Sequence, residues 1–589
     1  MHLRSAVLLS VLFAASATAT KKCKCLPGDS CFPSQSDWNK FAKGLSQPLV
    51  SNQKPFASVC YNTSSNFNAD ECARRSAIQL DPESLIDAGN TVQLINFQDQ
   101  LFSNGTVSQC PFDPLPGAVC NQGRVPVYSI NATTVSDIQK TVAYASKHNL
   151  HLVVRNTGHE LLGRAFGVGS VELLVHSMKQ TNFSDSFVPQ NAPPSTPGQH
   201  AVTIQPGVQW GEIYDLADQH DRLIVGGFSV GGTVGAGAGW PVGGGHSILS
   251  PFYGLGVDNL LQFTVVLPNA SHVVANEYTN PDLFWALRGG GAPSFGVVTS
   301  VTHKTHDNVP FTAAFYGASA NSSESFLQLM TTWVQHHNNL NEAGWGGLWP
   351  YFNNNLFLTL VSPGNPPTNP NALTAINSFF NASSQIPGVN VSLAATFPYR
   401  SFQQFVFENL GDTSLGHGLN FSEFHVSGSR AYLSSWFLPN NITAPENAEA
   451  LAKAYVSVPA GTPYIIGGGV VSQVAENATA VTPAWRHSIA DMTIIFSFNE
   501  TSNATDYANA KKTVHSQIEP FRQLAPVPLG GQYLNEGDVS EPDWQQAHWG
   551  SNYARLLKIK KEIDPKDLLI VYHGVNSEAW DDEIVCKTV

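Results

Sequence analysis

The alternation of apolar and polar positions becomes regular after residue 120 and predicts a β-α-β unit there. Residues 125–128 have the pattern of a strand, and Thr134 offers a helix N-cap that is followed by apolar residues at helical spacing. The helix is expected to end near Asn149, just before a second, buried strand at residues 152–154. The loop after such a strand is a common place for a bound ligand.

Similar patterns predict elements along much of the remaining chain. Strands are expected at residues 171–175, 201–204, 261–267, 271–275, 309–317, 356–360, 463–467 and 492–498. Helices are expected near residues 38–45, around 210–217 and, capped by Ser322, around 326–334. From about residue 305 onward these elements indicate an antiparallel sheet covered by helices, so the predicted fold class is α+β.

Candidate chemistry first appears in the loop after the strand at 152–154, which has the sequence Arg-Asn-Thr-Gly-His-Glu-Leu-Leu-Gly over residues 155–163. Glycines let backbone N–H groups approach a phosphate, and Arg155 would add a positive charge. His159 could act there as a base, a metal ligand or a covalent tether, or it could be an ordinary turn histidine. The loop lacks the second histidine of HExxH and the spacing of GxGxxG, so neither of those sites is predicted.

A run of glycines over residues 226–245, followed by His246, is the second unusual stretch. It has no three-residue period, which excludes collagen, and it is too apolar for a solvated linker. Its backbone is expected to pack against a large flat ligand; the alternative is a cluster of glycine-rich turns.

The overall composition narrows the classes of partner. A chain of 589 residues is expected to contain at least two hydrophobic cores. A charged fraction of 13%, a net charge of -13 and the lack of a basic cluster argue against a nucleic-acid partner. After the N-terminal segment no apolar stretch is long enough to span a bilayer, so no membrane partner is predicted.

The N-terminal region points to the secretory pathway. Residues 1–19 contain an arginine, an apolar run and a small-residue cleavage site, which predicts a signal peptide and a secreted, extracellular protein. N-glycosylation sequons recur, for example at Asn104 and Asn477, and the eight cysteines favour disulfides. Seven cysteines precede residue 121, so Cys586 must reach back to the N-terminal region if all are paired.

Four motifs occur in a fixed order: Arg-Asn-Thr-Gly-His at 155–159, Gly-Gly-Gly-His-Ser at 243–247, Asp-Leu-Phe-Trp-Ala-Leu-Arg-Gly-Gly-Gly at 282–291 and Gly-Val-Val at 296–298. Together they resemble the PCMH-type FAD-binding domain of vanillyl-alcohol-oxidase-type flavoproteins, with the closest likeness to berberine-bridge-enzyme-like and fungal isoamyl-alcohol-oxidase-like oxidases. The resemblance implies a two-part FAD-binding domain and a separate substrate domain. It implies cofactor contacts from Arg155, Asn156, Thr157, Gly158, His159, Gly163, Gly244, Gly245, His246, Gly291, Gly296 and Val298.

In that family the histidine matched by His159 is bonded covalently to the flavin. Many relatives use a second tether, a cysteine in the segment that matches residues 226–245. This chain has no cysteine between Cys120 and Cys586, so the resemblance implies covalent FAD held through His159 only. No metal ligand is implied.

The C-terminal segment resembles the part of the family in which a Tyr-x-Asn motif faces the flavin. By that resemblance Tyr533 is the candidate catalytic base or substrate orienter, and Asn535 and Asn576 are candidate flavin contacts. In the substrate domain, Glu423, His425, Arg430, Arg486 and His487 show no spacing that selects a catalytic group, so structural or surface roles are favoured.

The resulting division is a signal peptide at 1–19, a disulfide-rich segment at 20–120, the FAD-binding domain at 121–304, a substrate domain at 305–525 and a returning segment at 526–589. The expected function is a secreted oxidase that moves a hydride from an alcohol, or a related CH–OH or CH–NH substrate, to FAD, with O2 reduced to H2O2. One alternative is a flavin dehydrogenase or oxidative-cyclisation enzyme of secondary metabolism; another is a binding or storage protein with a degenerate site. The sequence makes no prediction of the substrate's identity or of the oligomeric state.

Overall fold

The computed structural model describes residues 22–114, 116–410, 416–417 and 426–588. The predicted signal peptide and the two polar candidates Glu423 and His425 lie outside the described residues. The remaining predictions can be compared with the fold directly.

The N-terminal segment contains little regular secondary structure and is cross-linked by disulfides. Its elements are α1 (Gln35–Ala42), β1 (Val50–Ser51), α2 (Ala69–Ile78), α3 (Pro82–Ala88), β2 (Gln100–Leu101) and β3 (Val107–Ser108). Three disulfides lie within it, Cys25–Cys31, Cys60–Cys72 and Cys110–Cys120. The fourth, Cys23–Cys586, confirms that the C-terminal end reaches back to this segment.

The predicted β-α-β unit is confirmed. It consists of β4 (Tyr128–Asn131), α4 (Val135–His148) and β5 (Leu152–Arg155), and β6 (Val171–Leu174) lies between the two strands in a sheet where all three run parallel. Thr134 caps α4 by accepting from the Asp137 N–H, and Asn149 ends the helix in the left-handed conformation. The first strand begins at the last residue of the predicted strand, Tyr128.

A second sheet completes the predicted FAD-binding region. Its strands follow the order β11-β10-β12-β8-β7 and all neighbours are antiparallel. The elements of this part are β7 (Thr181–Phe187), β8 (Gln199–Ile204), α5 (Trp210–Gln219), β9 (Arg222–Leu223), α6 (Gly239–Val242), α7 (Ser250–Tyr253), β10 (Leu260–Val266), β11 (His272–Ala275), α8 (Pro281–Leu287), β12 (Val297–Lys304) and β13 (His306–Asp307).

The predicted substrate domain is built on a large antiparallel sheet covered by helices, as the sequence predicts. Its central strand order is β18-β14-β17-β15-β21-β22-β19. The elements are β14 (Phe311–Ala320), α9 (Ser323–Glu342), β15 (Gly346–Leu348), β16 (Tyr351–Phe352), β17 (Asn355–Pro363), α10 (Ala372–Ser384), β18 (Val389–Tyr399), α11 (Phe402–Asn409), β19 (Arg430–Pro439), α12 (Ala448–Val456), β20 (Ala460–Gly461), β21 (Tyr464–Ile465), α13 (Ala484–His487), β22 (Ser488–Phe498) and α14 (Ala504–Leu524).

The returning segment carries α15 (Trp544–Trp549) and α16 (Tyr553–Ile563) and packs against the predicted FAD-binding region. The ammonium group of Lys560 on α16 is fully buried, where it donates to the Asp564 carboxylate and to the Ser294 carbonyl. Trp549 donates its indole N–H to the Gly289 carbonyl. The Asn535 side-chain amide donates to the Trp240 carbonyl, so the segment around residue 533 lies beside the glycine-rich run.

One continuous hydrophobic core joins the antiparallel sheet of the predicted FAD-binding region, the large sheet and the returning segment. The apolar stripe of α9, with Phe326, Met330 and Trp333, lies inside it, as predicted. Every helix within the described ranges is too short or too polar to cross a bilayer.

Candidate functional site

A cavity of about 590 Å³ lies where the loop after β5 and the glycine-rich run meet the large sheet and the segment at residues 533–536. Four parts of the chain therefore form its walls. Eight of the residues predicted for the site line it: Arg155, Asn156, Thr157, Gly158, His159, His246, Tyr533 and Asn535.

The loop after β5 presents unpaired backbone donors. The chain turns at Gly158, where φ is +78° and a Cβ atom would lie 3.2 Å from the Val92 Cα, so a side chain there would be strained. In the described part of the chain, the backbone N–H groups of residues 157–160 donate to no protein acceptor. Successive free N–H groups in a tight turn form a concavity suited to phosphate.

The Arg155 side chain does not bring a free charge to this loop. Its guanidinium is 1% exposed, and Nε donates to the Glu172 carboxylate at 2.5 Å while Nη2 donates to the Gly89 carbonyl at 2.6 Å. Both partners of the ion pair are buried, so the positive charge expected beside the ligand is compensated within the protein.

His159 is presented as a neutral imidazole. Its Nε2 atom lies 2.8 Å from the Thr233 hydroxyl, and burial lowers the pKa of His159 to about 4. At neutral pH the ring therefore keeps a lone pair, which is the form that a nucleophilic attachment requires.

The glycine-rich run has two functions in the fold. At Gly245 φ is +72° and a Cβ atom would lie 2.7 Å from the Trp240 ring, so this glycine allows the run to pack on the protein's own tryptophan. Gly227, Gly235 and Gly239 line the cavity. A Cβ atom at Gly227 would lie 2.5 Å from Trp240 Nε1 and one at Gly235 2.2 Å from Asn156 Nδ2, whereas a Cβ atom at Gly239 would meet nothing within 4 Å. Most of these glycines thus serve internal packing, and Gly239 leaves space at the cavity wall.

Tyr533 and Asn535 are joined to each other. The Asn535 side-chain amide donates to the Tyr533 hydroxyl oxygen at 2.7 Å and to the Trp240 carbonyl at 3.3 Å. Tyr533 is 2% exposed, and burial, together with the nearby charge of Glu536, raises its pKa well above the ordinary value. The phenol therefore stays protonated at neutral pH.

Glu536 is a cavity residue that the sequence did not single out. Its Oε1 atom lies 2.9 Å from the Nε2 of His246, and its Oε2 atom accepts from the Thr493 hydroxyl at 3.0 Å. Asp491 is fully buried beside them, and ligand atoms of His246, Asp491 and Glu536 all lie within 4.8 Å of one another. The sequence feature that could have identified Glu536 is its position directly after the Tyr-x-Asn motif. No local pattern marks Asp491 as a site residue.

The wall on the side of the large sheet is mainly apolar and aromatic. Its side chains include Leu348, Tyr351, Phe352, Leu433, Tyr464 and Ile495, with hydroxyl groups from Ser427, Thr462 and Thr493.

The three described polar candidates of the substrate domain are used in ion pairs. Arg430 pairs with Asp99, Arg486 pairs with Asp258, and His487 pairs on the surface with Glu476. None of the three lines the cavity, in keeping with the structural or surface roles that the sequence favours.

The other predicted site residues, Gly163, Gly244, Gly245, Gly291, Gly296, Val298 and Asn576, do not line the cavity. Gly163 packs on Phe97, Gly296 on Val265, and the Asn576 side chain donates to the Asp567 carboxylate at 2.8 Å. These positions support the surrounding packing.

Comparison with known proteins places these features in context. A family profile described as FAD binding domain matches residues 126–276, and one described as Berberine and berberine like matches residues 532–576. An uncharacterized FAD-linked oxidoreductase of Arthroderma benhamiae is 35% identical to this chain over 600 residues, with 98% of each chain covered. The VAO-type flavoprotein oxidase VAO615 of Thermothelomyces thermophilus is 30% identical, covering 95% of this chain and 94% of its own length.

Among solved structures, the crystal structure of the VAO-type flavoprotein MtVAO615 from Myceliophthora thermophila matches with a TM-score of 0.84 at 26% identity, over 96% of this chain and 100% of that one. Each matched segment of the present chain contributes cavity residues: the first includes His159 and the second includes Tyr533.

Proposed function

The chain belongs to the family of VAO-type FAD-linked oxidoreductases, and from that premise we propose that it is a secreted oxidase that removes a hydride from a small alcohol or a related amine and passes the electrons to O2, giving H2O2. The observation that carries this proposal is that His159, as a neutral imidazole, and Tyr533 line one cavity at the end of a loop with free N–H donors.

The residues present fit FAD. The free N–H groups of residues 157–160 suit its diphosphate, and the bare backbone at Gly239 leaves room at the cavity wall. We propose that Asn156, Thr157, Gly158 and Asn535 hold the cofactor and that His159 is its sole covalent anchor. When bound, FAD supplies the hydride acceptor, and its reoxidation by O2 releases H2O2.

The chain's own residues supply position and proton handling. Tyr533 keeps its proton because of its burial and its acidic neighbour, so its role in the proposal is to orient the substrate by donating a hydrogen bond. The apolar wall of the large sheet supports a substrate with an aliphatic or aromatic body.

Secretion is part of the proposal. Four disulfides, one of which joins Cys23 to Cys586, are compatible with an oxidising compartment.

We expect the purified protein to release H2O2 with at least one member of a panel of aromatic alcohols, aliphatic alcohols, sugars and amines, with the largest rate for an apolar or aromatic alcohol. Peroxide release is measured beside reduction of an artificial electron acceptor. Dye reduction without peroxide would indicate a dehydrogenase, and a colourless protein inactive in both assays would indicate a binding protein and contradict the proposal.

Replacement of Tyr533 by phenylalanine is expected to slow substrate-dependent flavin reduction by about tenfold, because one neutral hydrogen bond contributes roughly 0.5–1.5 kcal/mol. Single-turnover reduction without O2 gives this rate. A loss of about 10²–10⁴-fold, the usual contribution of a general base, would instead make Tyr533 the proton acceptor.

A further inference from the structure

We propose that Glu536 is the proton acceptor of the reaction, positioned by His246 and Thr493, with Asp491 as a buried proton-holding neighbour. This inference rests on the proposed oxidase function, because the proton in question comes from the substrate's hydroxyl or amino group. It assigns a catalytic residue to a position outside the Tyr-x-Asn motif.

Tyr533 is poorly suited to accept that proton. Phenolate formation would put a second negative charge beside Glu536 in a buried site, and this burial and charge raise the pKa of Tyr533 even though the hydrogen bond from Asn535 favours the phenolate. The protonated phenol is instead suited to donate a hydrogen bond.

Glu536 has the geometry of a base. Its side chain is 17% exposed and lines the cavity, so a substrate can reach it. The contacts from His246 and Thr493 reach different carboxylate oxygens and fix the orientation of the group. Within the described part of the chain neither lysine nor arginine forms an ion pair with Glu536, so no fixed cation stabilises its charge.

Asp491 limits the total negative charge at this position. It is fully buried, and burial followed by the charge of Glu536 raises the pKa of Asp491 well above its ordinary value. The ionisable groups that face the pair are His246 from the glycine-rich run, Tyr464 from β21 and Tyr533 from the returning segment. Two carboxyl groups this close do not both ionise readily, and the fully buried Asp491 is the one that keeps its proton.

With an alcohol as substrate, one bond breaks at oxygen and one at carbon. The O–H bond of the substrate breaks and its proton moves to a carboxylate oxygen of Glu536, while the bonding electrons become the second bond of the C=O group. The carbon loses its hydrogen with the electron pair, and the two-electron acceptor is the FAD named above. The protonated Glu536 returns its proton to solvent through the cavity after the product leaves.

The test compares substrate-dependent flavin reduction in Glu536→Gln, Glu536→Asp and Tyr533→Phe holoenzyme, using the alcohol with the highest peroxide release. We expect Glu536→Gln to lose about 10²–10⁴-fold, Glu536→Asp to recover part of that loss, and Tyr533→Phe to stay within about tenfold of the wild type. Glu476→Gln, a change of a surface carboxylate that pairs with His487, is the matched control and is expected to leave the rate unchanged. A Glu536→Gln rate within threefold of the wild type would overturn the assignment.

A second readout follows the proton itself, and its decisive result comes from the wild type. Time-resolved infrared difference spectra of the wild-type enzyme are recorded during anaerobic reduction by the alcohol, before the product leaves. Transfer to Glu536 predicts a gain of a carboxylic acid C=O band and a loss of a carboxylate band, both absent in Glu536→Gln. No new carboxylic acid band in the wild type would overturn the proposal.

Metal analysis distinguishes a proton acceptor from a metal site, because His246, Asp491 and Glu536 could also hold a divalent ion. One equivalent of metal that survives a chelator and disappears in Asp491→Asn would contradict the proton role. If the wild type itself is not reduced by any alcohol or amine, the proposed oxidase function fails, whereas a normally reduced Glu536→Gln enzyme removes only the present inference.

Discussion

Replacement of His159 by alanine is expected to convert the flavin from a form that stays with acid-precipitated protein to one that is released completely. The chain has no cysteine between Cys120 and Cys586, and all eight cysteines are in disulfides, so no thiol is available as a second tether. His159 is the cavity histidine whose Nε2 is engaged by a hydroxyl, that of Thr233, which leaves Nδ1 for a bond to the flavin.

The physical reason is the state of the imidazole. Burial lowers the pKa of His159 to about 4, so the ring is neutral and nucleophilic at neutral and mildly acidic pH. Alanine removes the nucleophile but leaves the free N–H groups of residues 157–160, so FAD is expected to remain bound without a covalent bond. The loss of the electron-withdrawing imidazole bond is also expected to make the flavin a weaker oxidant.

The measurement is the flavin absorbance of pellet and supernatant after acid precipitation. His487→Ala, which changes a surface histidine outside the cavity, serves as the control and should keep all of its flavin in the pellet. Acid-stable flavin in His159→Ala would place the anchor at another residue.

The local features of the fold were accessible from the sequence because they depend on neighbours in the chain. Thr134 caps α4 and Ser322 caps α9 through contacts with residues three positions later, and the alternation at residues 201–204 places β8 correctly. The motif around His159 could also be located, because a strand that ends in a glycine turn is a local pattern.

The contacts of Glu536 with His246 and Thr493 could not be predicted in the same way. Glu536 meets His246 across 290 positions, and Thr493 across 43 positions. Such contacts are decided by how the returning segment packs against the large sheet, and no local periodicity encodes them. The ion pair in which Glu172 neutralises the charge of Arg155 could not be predicted either, since it depends on the pairing of β5 with β6.

The buried ion pair between Asp99 and Arg430 leads to the largest expected effect on stability. It joins the disulfide-rich segment to β19, and Asp99 also accepts from the hydroxyl group of Tyr507 on α14. The side chains of Asp99 and Arg430 are 3% and 2% exposed. Three regions of the chain therefore meet at one charged contact inside the protein.

We expect Asp99→Asn to lower the free energy of unfolding by about 3–5 kcal/mol, because removal of one partner leaves an uncompensated buried charge. The guanidinium of Arg430 cannot avoid this cost by losing its proton, since arginine stays charged in proteins. The double change Asp99→Leu with Arg430→Met removes both charges and is expected to regain most of the lost stability.

Equilibrium denaturation in guanidinium chloride, followed by tryptophan fluorescence, measures the free energy of unfolding of the wild type, Asp99→Asn and the double variant. Glu449→Ala, which breaks a solvent-exposed pair with Lys453, is the control and should show no measurable change. A double variant as unstable as Asp99→Asn would mean that the contact's shape, and not its charge balance, holds the N-terminal segment to the large sheet.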